Sequence, residues 1–251
     1  MKISVVIPSF NDIRILETIE SIKNQNYPQE KIELIVQDSL SSEEISLKIK
    51  NSLSANDKYI SEKDNGIFDG INKGLMNATG DIILTLGTDD RVKDDDLFSE
   101  VEKKFNEGFN FIFCDLEYTN ADWKPIRKWP ARQFTYTNYL LGRQYAHFSL
   151  FCTKSIYKKL GYFNTSNLVN ADYEFFHQAL REQNRIGINS TIIKNKVVQM
   201  KLGGNSSRNI KKIIASNFIM LSYVIKNDAR LLPGFLFKPF HKIVEAFSAK
   251  I

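Results

Sequence analysis

The chain has 251 residues, of which 43% are hydrophobic and 25% are charged, and its formal net charge is +5. This composition excludes a disordered or collagen-like chain, and the length suffices for one large domain with a sizeable core. Residues 208–251 hold eight Lys or Arg and two Asp or Glu, leaving 26 of the 34 basic and 27 of the 29 acidic side chains for the other 207 residues. The positive balance therefore belongs to the tail, and no nucleic-acid partner is predicted.

Three sequence features concern the compartment in which the chain works. Cys114 and Cys152 both lie in apolar stretches, which predicts buried free thiols and favours a reducing, cytoplasmic compartment. The N-terminal "MKISVVIPSF" is interpreted as a first strand, because its apolar run is too short for a signal peptide. The longest uncharged apolar run, "SNFIMLSYVI", is about half the length of a membrane span, so no transmembrane segment is expected.

The first 115 residues alternate between short β-branched runs and stretches with helical spacing. The predicted strands are "ISVVI", "IELIV", "KYIS", "IILTL" and "FNFIFC". Helices are predicted over residues 12–26, 94–106 and from about Ile67 onwards. This alternation predicts βαβ units and a largely parallel sheet, whose ligands bind at the carboxyl ends of the strands.

The rest of the chain is less regular until its helical end. Residues 116–165 are rich in aromatic side chains and are predicted to be extended segments and loops that pack on the first half. A helix is predicted over residues 170–185, and "TIIKNKVVQMKL" is interpreted as two short strands or one bent strand. The tail predicts a helix with these residues inward: Ile210, Ile213, Ile214, Phe218, Leu221 and Ile225. A second apolar stripe consists of Phe240, Ile243, Val244, Phe247 and Ile251.

Two adjacent carboxylates, Asp89 and Asp90, follow the predicted strand "IILTL" after Gly87 and Thr88. They could be acidic residues near the start of the next helix, where they would suit its dipole. Asp94, Asp95 and Asp96 fill that role better, because they directly precede "LFSEVEKKF". The alternative is a divalent cation site, since Mg²⁺ and Mn²⁺ prefer carboxylate and phosphate oxygens.

The stretch "EKDNGIFDGINKGLMNATGD" predicts a turn followed by a helix with Ile67, Ile71 and Leu75 inward. Gly70 and Gly74 within this helix cost about 1 kcal/mol each relative to alanine. Either close packing against a neighbouring element or close approach of a ligand would explain them. No GxGxxG or GxxxxGK[ST] motif is present, so dinucleotide and P-loop sites are not predicted.

Four segments together resemble a family 2 glycosyltransferase of the inverting GT-A fold, of the bacterial polysaccharide-assembly type. They are "ISVVIPSFND", "IELIVQDSLSSEE", "EKDNGIFDGINKGLMNATGDIILTLGTDD" and "NADYEFFHQAL". The resemblance implies an α/β GT-A domain over residues 1–205, with a nucleotide-sugar half (1–115) and an acceptor half (116–205). Residues 206–251 would be a basic, amphipathic helical tail.

The implied activity is a metal-dependent, hexosyltransferase-type transfer from a nucleotide-diphosphate sugar to a hydroxyl of a glycan acceptor, often lipid-linked. By resemblance, Asp90 holds Mn²⁺ or Mg²⁺, and Asp89 faces the sugar or ribose. The cation would offset the charge that develops on the diphosphate leaving group. Here Gly87 and Thr88 precede the acids, where the family usually has Asn or Ala and a small residue.

Five further residues match the donor side of the family. Asp38 matches the carboxylate that reads the nucleotide base, although the following "SLSSEE" lacks the family's usual glycine. Pro8 and Ser9 match residues that line the nucleotide pocket. Asp64 and Lys73 match donor-side residues, and Lys73 could also be a solvated helix lysine.

The acceptor side is represented by Asp172 and His147. An inverting transfer needs a base that deprotonates the acceptor hydroxyl, and the resemblance selects Asp172 over Glu174. The alternative is that Asp172 is the N-cap of its helix. His147 matches an acceptor-side position, and a structural role in the core is the alternative. "LGGNSS", residues 202–207, matches a glycine turn near the donor phosphates.

The lysine-flanked stripe that ends the chain has the spacing of an interfacial helix. It predicts association with an anionic membrane surface at the inner face of the cell membrane. The alternatives are packing on the globular body or in a homodimer. Two alternative functions are a sugar-nucleotide nucleotidyltransferase, which usually has a Gly-rich loop where this chain has "PSFNDIR", and a non-catalytic sugar-binding or scaffold protein derived from a transferase.

Overall fold

The computed structural model describes residues 1–166, 170–202 and 210–235, without the side chains of residues 210–216. Its strands form one nine-stranded sheet with the order β3-β2-β1-β4-β8-β6-β9-β5, and β7 pairs with β6. The strands are β1 Ile3–Ser9, β2 Ile32–Asp38, β3 Lys58–Ser61, β4 Ile82–Thr85, β5 Asp90–Val92, β6 Phe111–Thr119, β7 Pro125–Trp129, β8 Leu150–Thr153 and β9 Ser190–Lys201.

Helices cover both faces of this sheet. They are α1 Ile15–Lys23, α2 Glu43–Ser52, α3 Ile67–Asn77, α4 Leu97–Asn106, α5 Tyr136–Leu140, α6 Lys154–Leu160, α7 Ala171–Ile186 and α8 Ile210–Asn227. Two apolar clusters form the core. Strand β1 contributes to both clusters, because its alternate side chains, such as Val5 and Val6, point to opposite faces.

The first half of the chain is the predicted βαβ arrangement. Strands β1 to β4 are parallel, and Ile3 pairs with both Ile32 and Ile82. Both β1 and β2 are buried along their whole length, which is why they read as continuous apolar runs. The five predicted strands are all confirmed.

The second half is more mixed than a largely parallel sheet. Strand β8 is antiparallel to both β4 and β6, so β6 runs in the same direction as β4. Residues 116–165, expected to be extended segments and loops, contain strands β7 and β8 but also helices α5 and α6. The segment "TIIKNKVVQMKL" belongs to one bent strand, β9, in which Asn195 has φ 62° and the pairing with β6 shifts register.

The C-terminal helix α8 packs on the second half of the chain, but through a different face from the predicted one. Met220 and Val224 are buried, whereas Phe218 and Ile225 are 66% and 59% exposed. A Cβ on Gly234 would lie 2.3 Å from the carbonyl oxygen of Leu140, so the segment after α8 lies directly against α5. The apolar stripe from Phe240 to Ile251 lies outside the described residues.

Two further expectations concern thiols and membrane spans. Cys114 and Cys152 are both buried free thiols, as predicted. Among the described residues, no helix combines the length and the apolarity that crossing a membrane requires.

Candidate active site

The carboxyl edge of the sheet collects the polar residues singled out in the sequence. Ser9, Asp38 and Asp89 lie at or just beyond the ends of β1, β2 and β4, and Asp64 follows β3. The first two are paired neighbours, because Ser9 faces Asp38 in the β1–β2 register. Parallel strands therefore bring these four side chains to one edge, where a parallel sheet binds its ligands.

Helix α7 brings Asp172 to the same edge. The C-terminal end of α7 lies at the opposite edge of the sheet, where the parallel strands β6 and β9 begin. There Asn110 Nδ2 donates to the carbonyl of Gly187, and Ser190 begins β9 opposite Phe111. The helix has 16 residues and is therefore about 24 Å long. Since β9 runs parallel to β6, the start of α7 lies towards the carboxyl edge.

The two acids after β4 have different environments. Asp90 is fully buried and begins β5, and its Oδ2 accepts a hydrogen bond from the Gly87 N–H at 2.6 Å. Its Oδ1 is buried without a hydrogen-bond partner among the described residues. Burial and the neighbouring Asp89 raise the pKa of Asp90 to about 8. Because Asp90 begins β5, it is a strand residue and not an N-terminal residue of α4.

Asp89 is the more accessible member of the pair, with 15% of its side chain exposed. Burial raises its pKa, and Arg14 opposes this by donating from Nη1 to Asp89 Oδ2 at 2.9 Å. Arg14 also pairs with Asp12 at 2.6 Å, and Asp12 accepts from the hydroxyl of Thr88 at 2.7 Å. The loop after β1 is thereby connected to the loop after β4.

The acid pair suits a divalent cation that is shared with phosphate oxygens. No group of three or more His, Cys, Asp or Glu that could hold a metal occurs among the described residues. Mg²⁺ sites commonly use only one or two carboxylates and complete their coordination with substrate phosphates and water. Asp90 Oδ1 has no hydrogen-bond partner among the described residues, and burial raises the pKa of both acids, so a bound cation would favour their charged forms. Asp90 has no exposed surface, so Asp89 is the more accessible of the two acids to a cation.

Asp38 supports the nucleotide side of the edge from within. It is fully buried, and its two oxygens accept from the Ser41 N–H at 2.8 Å and the Ser41 hydroxyl at 2.5 Å. The hydroxyls of Tyr59 and Ser61 donate to it as well, at 2.9 and 3.2 Å. With four donors and no exposed surface, Asp38 orders the loop after β2 instead of presenting an open carboxylate to a base.

Ser9 ends β1, and Asp64 lies beside Gly70 near the start of α3. The hydroxyl of Ser9 is buried with no hydrogen-bond partner in the described part of the chain, so it is available to a ligand. A Cβ on Gly70 would lie 3.0 Å from Asp64 Oδ2 and 3.3 Å from Pro8 Cβ. Gly70 therefore lets Asp64 and Pro8 approach the helix closely.

The second helix glycine has a purely structural explanation. A Cβ on Gly74 would lie 2.3 Å from Val6 Cγ1, so Gly74 permits α3 to pack directly on β1. Lys73 donates to the carbonyl of Lys63 at 2.6 Å and lies 3.6 Å from Asp69, which ties α3 to the preceding loop. Ile67, predicted to be inward, is 47% exposed at the helix start.

Asp172 is not the N-cap of α7, because Asn170 occupies that position. Its carboxylate lies in the first turn, where Oδ1 accepts from the Tyr173 N–H at 2.9 Å. It is partly exposed and contributes to the wall of a cavity. An acid in such a place can meet a ligand hydroxyl.

His147 belongs to the core, so the structure does not place it on an acceptor surface. It is buried, its Nε2 lies 3.0 Å from the hydroxyl of Thr85, and its ring packs edge-on against Phe163. Burial lowers the pKa of His147 to about 3, so the imidazole is neutral near pH 7. It joins the end of β4 to the aromatic core beneath the site.

Comparison with known families decides the identity of this fold. The sequence profile of Glycosyl transferase family 2 matches residues 4–160, which is more than half of the chain. The chain belongs to glycosyl transferase family 2. The resemblance inferred from the sequence motifs is thereby confirmed. Asp172 lies beyond the matched residues, so its assignment depends on the geometry described above.

Mycobacterial members of the family are similar in sequence. A PGL/p-HBAD biosynthesis glycosyltransferase of Mycobacterium bovis is 26% identical over 118 residues, covering 45% of this chain and 43% of the relative. An uncharacterized glycosyltransferase of Mycobacterium tuberculosis is 28% identical over 185 residues, covering 70% and 68%. This family 2 chain thus aligns with less than half the length of the first of these relatives.

Solved structures share the fold. S. aureus TarS residues 1–349 in complex with UDP have a TM-score of 0.70 and 19% identity, covering 100% of this chain and 75% of that one. The mannosyltransferase PcManGT from Pyrobaculum calidifontis, in complex with GDP-Man and Mn²⁺, has a TM-score of 0.64 and 16% identity, covering 99% and 73%. The predicted GT-A fold is confirmed.

Two features of this family 2 site were not predicted from the sequence. Arg14 lies in "PSFNDIR" and carried no motif signal, although its position six residues after Pro8 put it in the loop at the carboxyl edge. The aromatic cavity beside Asp172 draws on Trp129 and Tyr139 from the stretch without regular period. Aromatic richness alone indicated packing and could not locate the cavity.

Proposed function

We propose that this chain is a metal-dependent, inverting glycosyltransferase that moves a sugar from a nucleotide-diphosphate sugar to a hydroxyl of a glycan acceptor. Family membership supports glycosyl transfer, and one observation supports a metal-dependent, inverting transfer. The acid pair after β4 and Asp172 at the start of α7 come to the same edge of the sheet from distant parts of the chain.

On the donor side, Asp89 would hold Mn²⁺ or Mg²⁺, and the cation would stabilise the charge that develops on the departing nucleoside diphosphate. Asp90 supports this loop through the Gly87 N–H. The Ser9 hydroxyl and the loop ordered by Asp38 would bind the nucleotide. The nucleotide-bound and Mn²⁺-bound neighbours of the same fold agree with this assignment.

On the acceptor side, Asp172 would accept the proton of the attacking hydroxyl. The oxygen–carbon bond to the anomeric carbon forms as the bond to the diphosphate breaks on the opposite face, which inverts the configuration. The Tyr173 N–H holds one carboxylate oxygen at 2.9 Å, and this fixes the direction of the other.

The acceptor we propose is a lipid-linked sugar in polysaccharide assembly. Residues 236–251 contain three lysines, one glutamate and an apolar stripe, which suits the anionic inner face of a membrane. Phe218 and Ile225 of α8 are exposed apolar side chains and are available to the same kind of surface.

Two measurements test this function. Thermal shift with a panel of nucleotide sugars should reveal a ligand that stabilises the chain with Mn²⁺ and loses most of that effect with a chelator. With that donor, Asp172→Asn should lower transfer by about 10²–10⁴-fold while leaving donor binding nearly intact. Glu174→Gln is the matched control, because Glu174 lies in the same helical turn but bonds Asn164 at 2.8 Å. Wild-type transfer by Asp172→Asn would remove the proposed base.

A further inference from the structure

The tip of the β6–β7 hairpin holds a tryptophan in a backbone conformation that favours glycine. Trp123 has φ 61°, which lies in the left-handed region and is unusual for a bulky side chain. Asn120 shapes this turn, because its carbonyl accepts from the Trp123 N–H at 3.1 Å. Its side chain also accepts from the N–H groups of Asp122 and Lys124. Such a conformation persists only where the surroundings hold it, so the contacts of the indole identify what holds the hairpin tip in place.

The indole of Trp123 contacts three charged side chains from three different elements. Its N–H donates to Oε2 of Glu17 in α1 at 3.0 Å. Two cations lie 4.1 Å from the centroid of its ring, the guanidinium of Arg91 in β5 and the ammonium of Lys201 in β9. Lys201 also pairs with Glu17 at 2.7 Å. Arg91 donates from Nε to the side chain of Gln199 at 2.7 Å, so both cations are themselves held in place.

Two of these partners join Trp123 to the backbone of the acid pair. Arg91 directly follows Asp90 in β5, and the Lys201 N–H donates to the carbonyl of Asp89 at 3.4 Å. Strand β5 has three residues and lies at the end of the sheet, where it pairs with β9. Because so short a strand makes few ladder hydrogen bonds, its position depends on side-chain contacts such as those with Trp123.

The third partner joins the hairpin tip to α1. Glu17 lies in the first turn of this helix. The next residue, Thr18, donates from its hydroxyl to the carbonyl of Asp90 at 2.6 Å. Three residues before Glu17, Arg14 pairs with Asp89 at 2.9 Å. The start of α1 therefore contacts the hairpin tip and both acids, so a shift of the tip would be transmitted to the acid pair through the helix as well as through the strands.

We propose that Trp123 is a positioning residue for donor binding: through its three charged partners it holds the backbone of Asp89 and Asp90 where Asp89 can meet the cation of the donor diphosphate. The inference rests on the proposed function, because that function assigns Asp89 to the cation. It gives the β6–β7 hairpin, which belongs to the second half of the chain, a part in binding the donor. A purely structural Trp123 would affect stability and leave the affinity for a nucleotide with Mn²⁺ unchanged.

Trp123→Gly in the full chain tests the proposal, because glycine adopts the left-handed conformation without strain while the indole is removed. Thermal-shift titration with UDP and GDP in the presence of Mn²⁺ should show binding about three- to tenfold weaker than in the wild type. Trp123→Phe keeps an aromatic ring beside the two cations and should recover part of this loss. Tyr162→Gly is the matched control, since Tyr162 is also aromatic, has φ 65° and follows α6, where its N–H bonds the carbonyl of Tyr157. This control should bind the nucleotides as the wild type does.

Amide hydrogen exchange without any ligand gives an independent readout. Residues 87–92 should exchange about fivefold faster or more in Trp123→Gly than in the wild type and in Tyr162→Gly, whereas unchanged exchange in β1 shows that the variants are folded. The proposal is overturned if exchange at residues 87–92 does not change in Trp123→Gly, or if this variant binds UDP and GDP with Mn²⁺ as tightly as the wild type. A wild type that binds neither nucleotide counts against the proposed function, and the exchange rates then decide whether Trp123 positions the acid pair.

Discussion

The guanidinium of Arg14 donates to the carboxylate of Asp89 across 2.9 Å, joining the loop after β1 to the acid pair after β4. Arg14 also pairs with Asp12, and its own side chain is 43% exposed. It therefore supplies at Asp89 the positive charge that a cation would supply. A cation and Arg14 compete for the same carboxylate, unless the arginine turns away when the cation binds.

Arg14→Gln should tighten Mn²⁺ binding by about two- to fivefold. The expected size is small, because partly exposed ion pairs contribute about 0.2–1 kcal/mol. Calorimetry with Mn²⁺ measures it, and Arg185→Gln is the control, since Arg185 is exposed and pairs with Glu182 within α7. Unchanged or weaker Mn²⁺ binding by Arg14→Gln would show that the arginine does not compete.

Glu33 gives the fold an acid-sensitive contact at the amino edge of the sheet, far along β2 from Asp38. Burial raises its pKa, but hydrogen bonds from Ser4 at 2.5 Å and the Thr79 N–H at 2.8 Å outweigh this and lower it to about 2. Because the folded pKa lies below the ordinary value of 4.5, the stabilisation is complete above about pH 4.5 and is lost as pH falls towards 2.

Glu33→Gln should therefore lower the free energy of unfolding at pH 7 by about 1–3 kcal/mol. The difference in the free energy of unfolding between the wild type and Glu33→Gln should shrink from pH 5 to pH 3, because protonation then removes the stabilisation that the wild-type carboxylate provides. Urea midpoints at the two pH values measure this, and comparison with the wild type cancels other titrating groups. Glu44→Gln is the control, since Glu44 is exposed and pairs with Lys48 on the surface of α2. A difference that stays constant with pH would contradict the assignment.

Much of the fold follows from the sequence because its strands have an unambiguous pattern. Strands β1 and β2 are buried on both faces, so a run of β-branched residues admits no other arrangement. Helix α8 is the opposite case. It carries apolar residues around its whole circumference, including Phe218, Met220, Val224 and Ile225. Periodicity therefore could not select the buried face, which depends on the shape of the body on which α8 packs.

The site was predictable in position but not in orientation. Resemblance placed Asp38, Asp90 and His147 among functional residues: Asp38 ends β2, Asp90 begins β5 after β4, and His147 lies against Thr85 at the end of β4. Whether a side chain faces the ligand or the interior depends on tertiary neighbours such as Tyr59 for Asp38 and Thr85 for His147. These neighbours are distant in sequence and carry no local signal.

Gly74→Ala should destabilise the chain by about 1–3 kcal/mol, because the added Cβ would lie 2.3 Å from Val6 Cγ1 on the strand beneath α3. Chemical denaturation measures the loss. The double variant Gly74→Ala with Val6→Ala removes the clashing methyl group, so the two substitutions should cost less together than the sum of their single effects. Strictly additive losses would mean that α3 shifts away from β1 without strain.

Removal of residues 236–251 should abolish binding to anionic vesicles while leaving the fold intact. A chain that ends at Phe235 keeps Leu231 in the core and retains Asp228 beside His177, so its melting temperature should match that of the full chain. The removed segment carries three lysines and one glutamate, and each lysine near an anionic surface contributes about 1 kcal/mol. Flotation with phosphatidylserine-containing and neutral vesicles measures the loss, and the full chain with Phe240→Ser and Phe247→Ser separates apolar insertion from charge. Equal flotation of the full and shortened chains would show that residues 236–251 do not bind the vesicles.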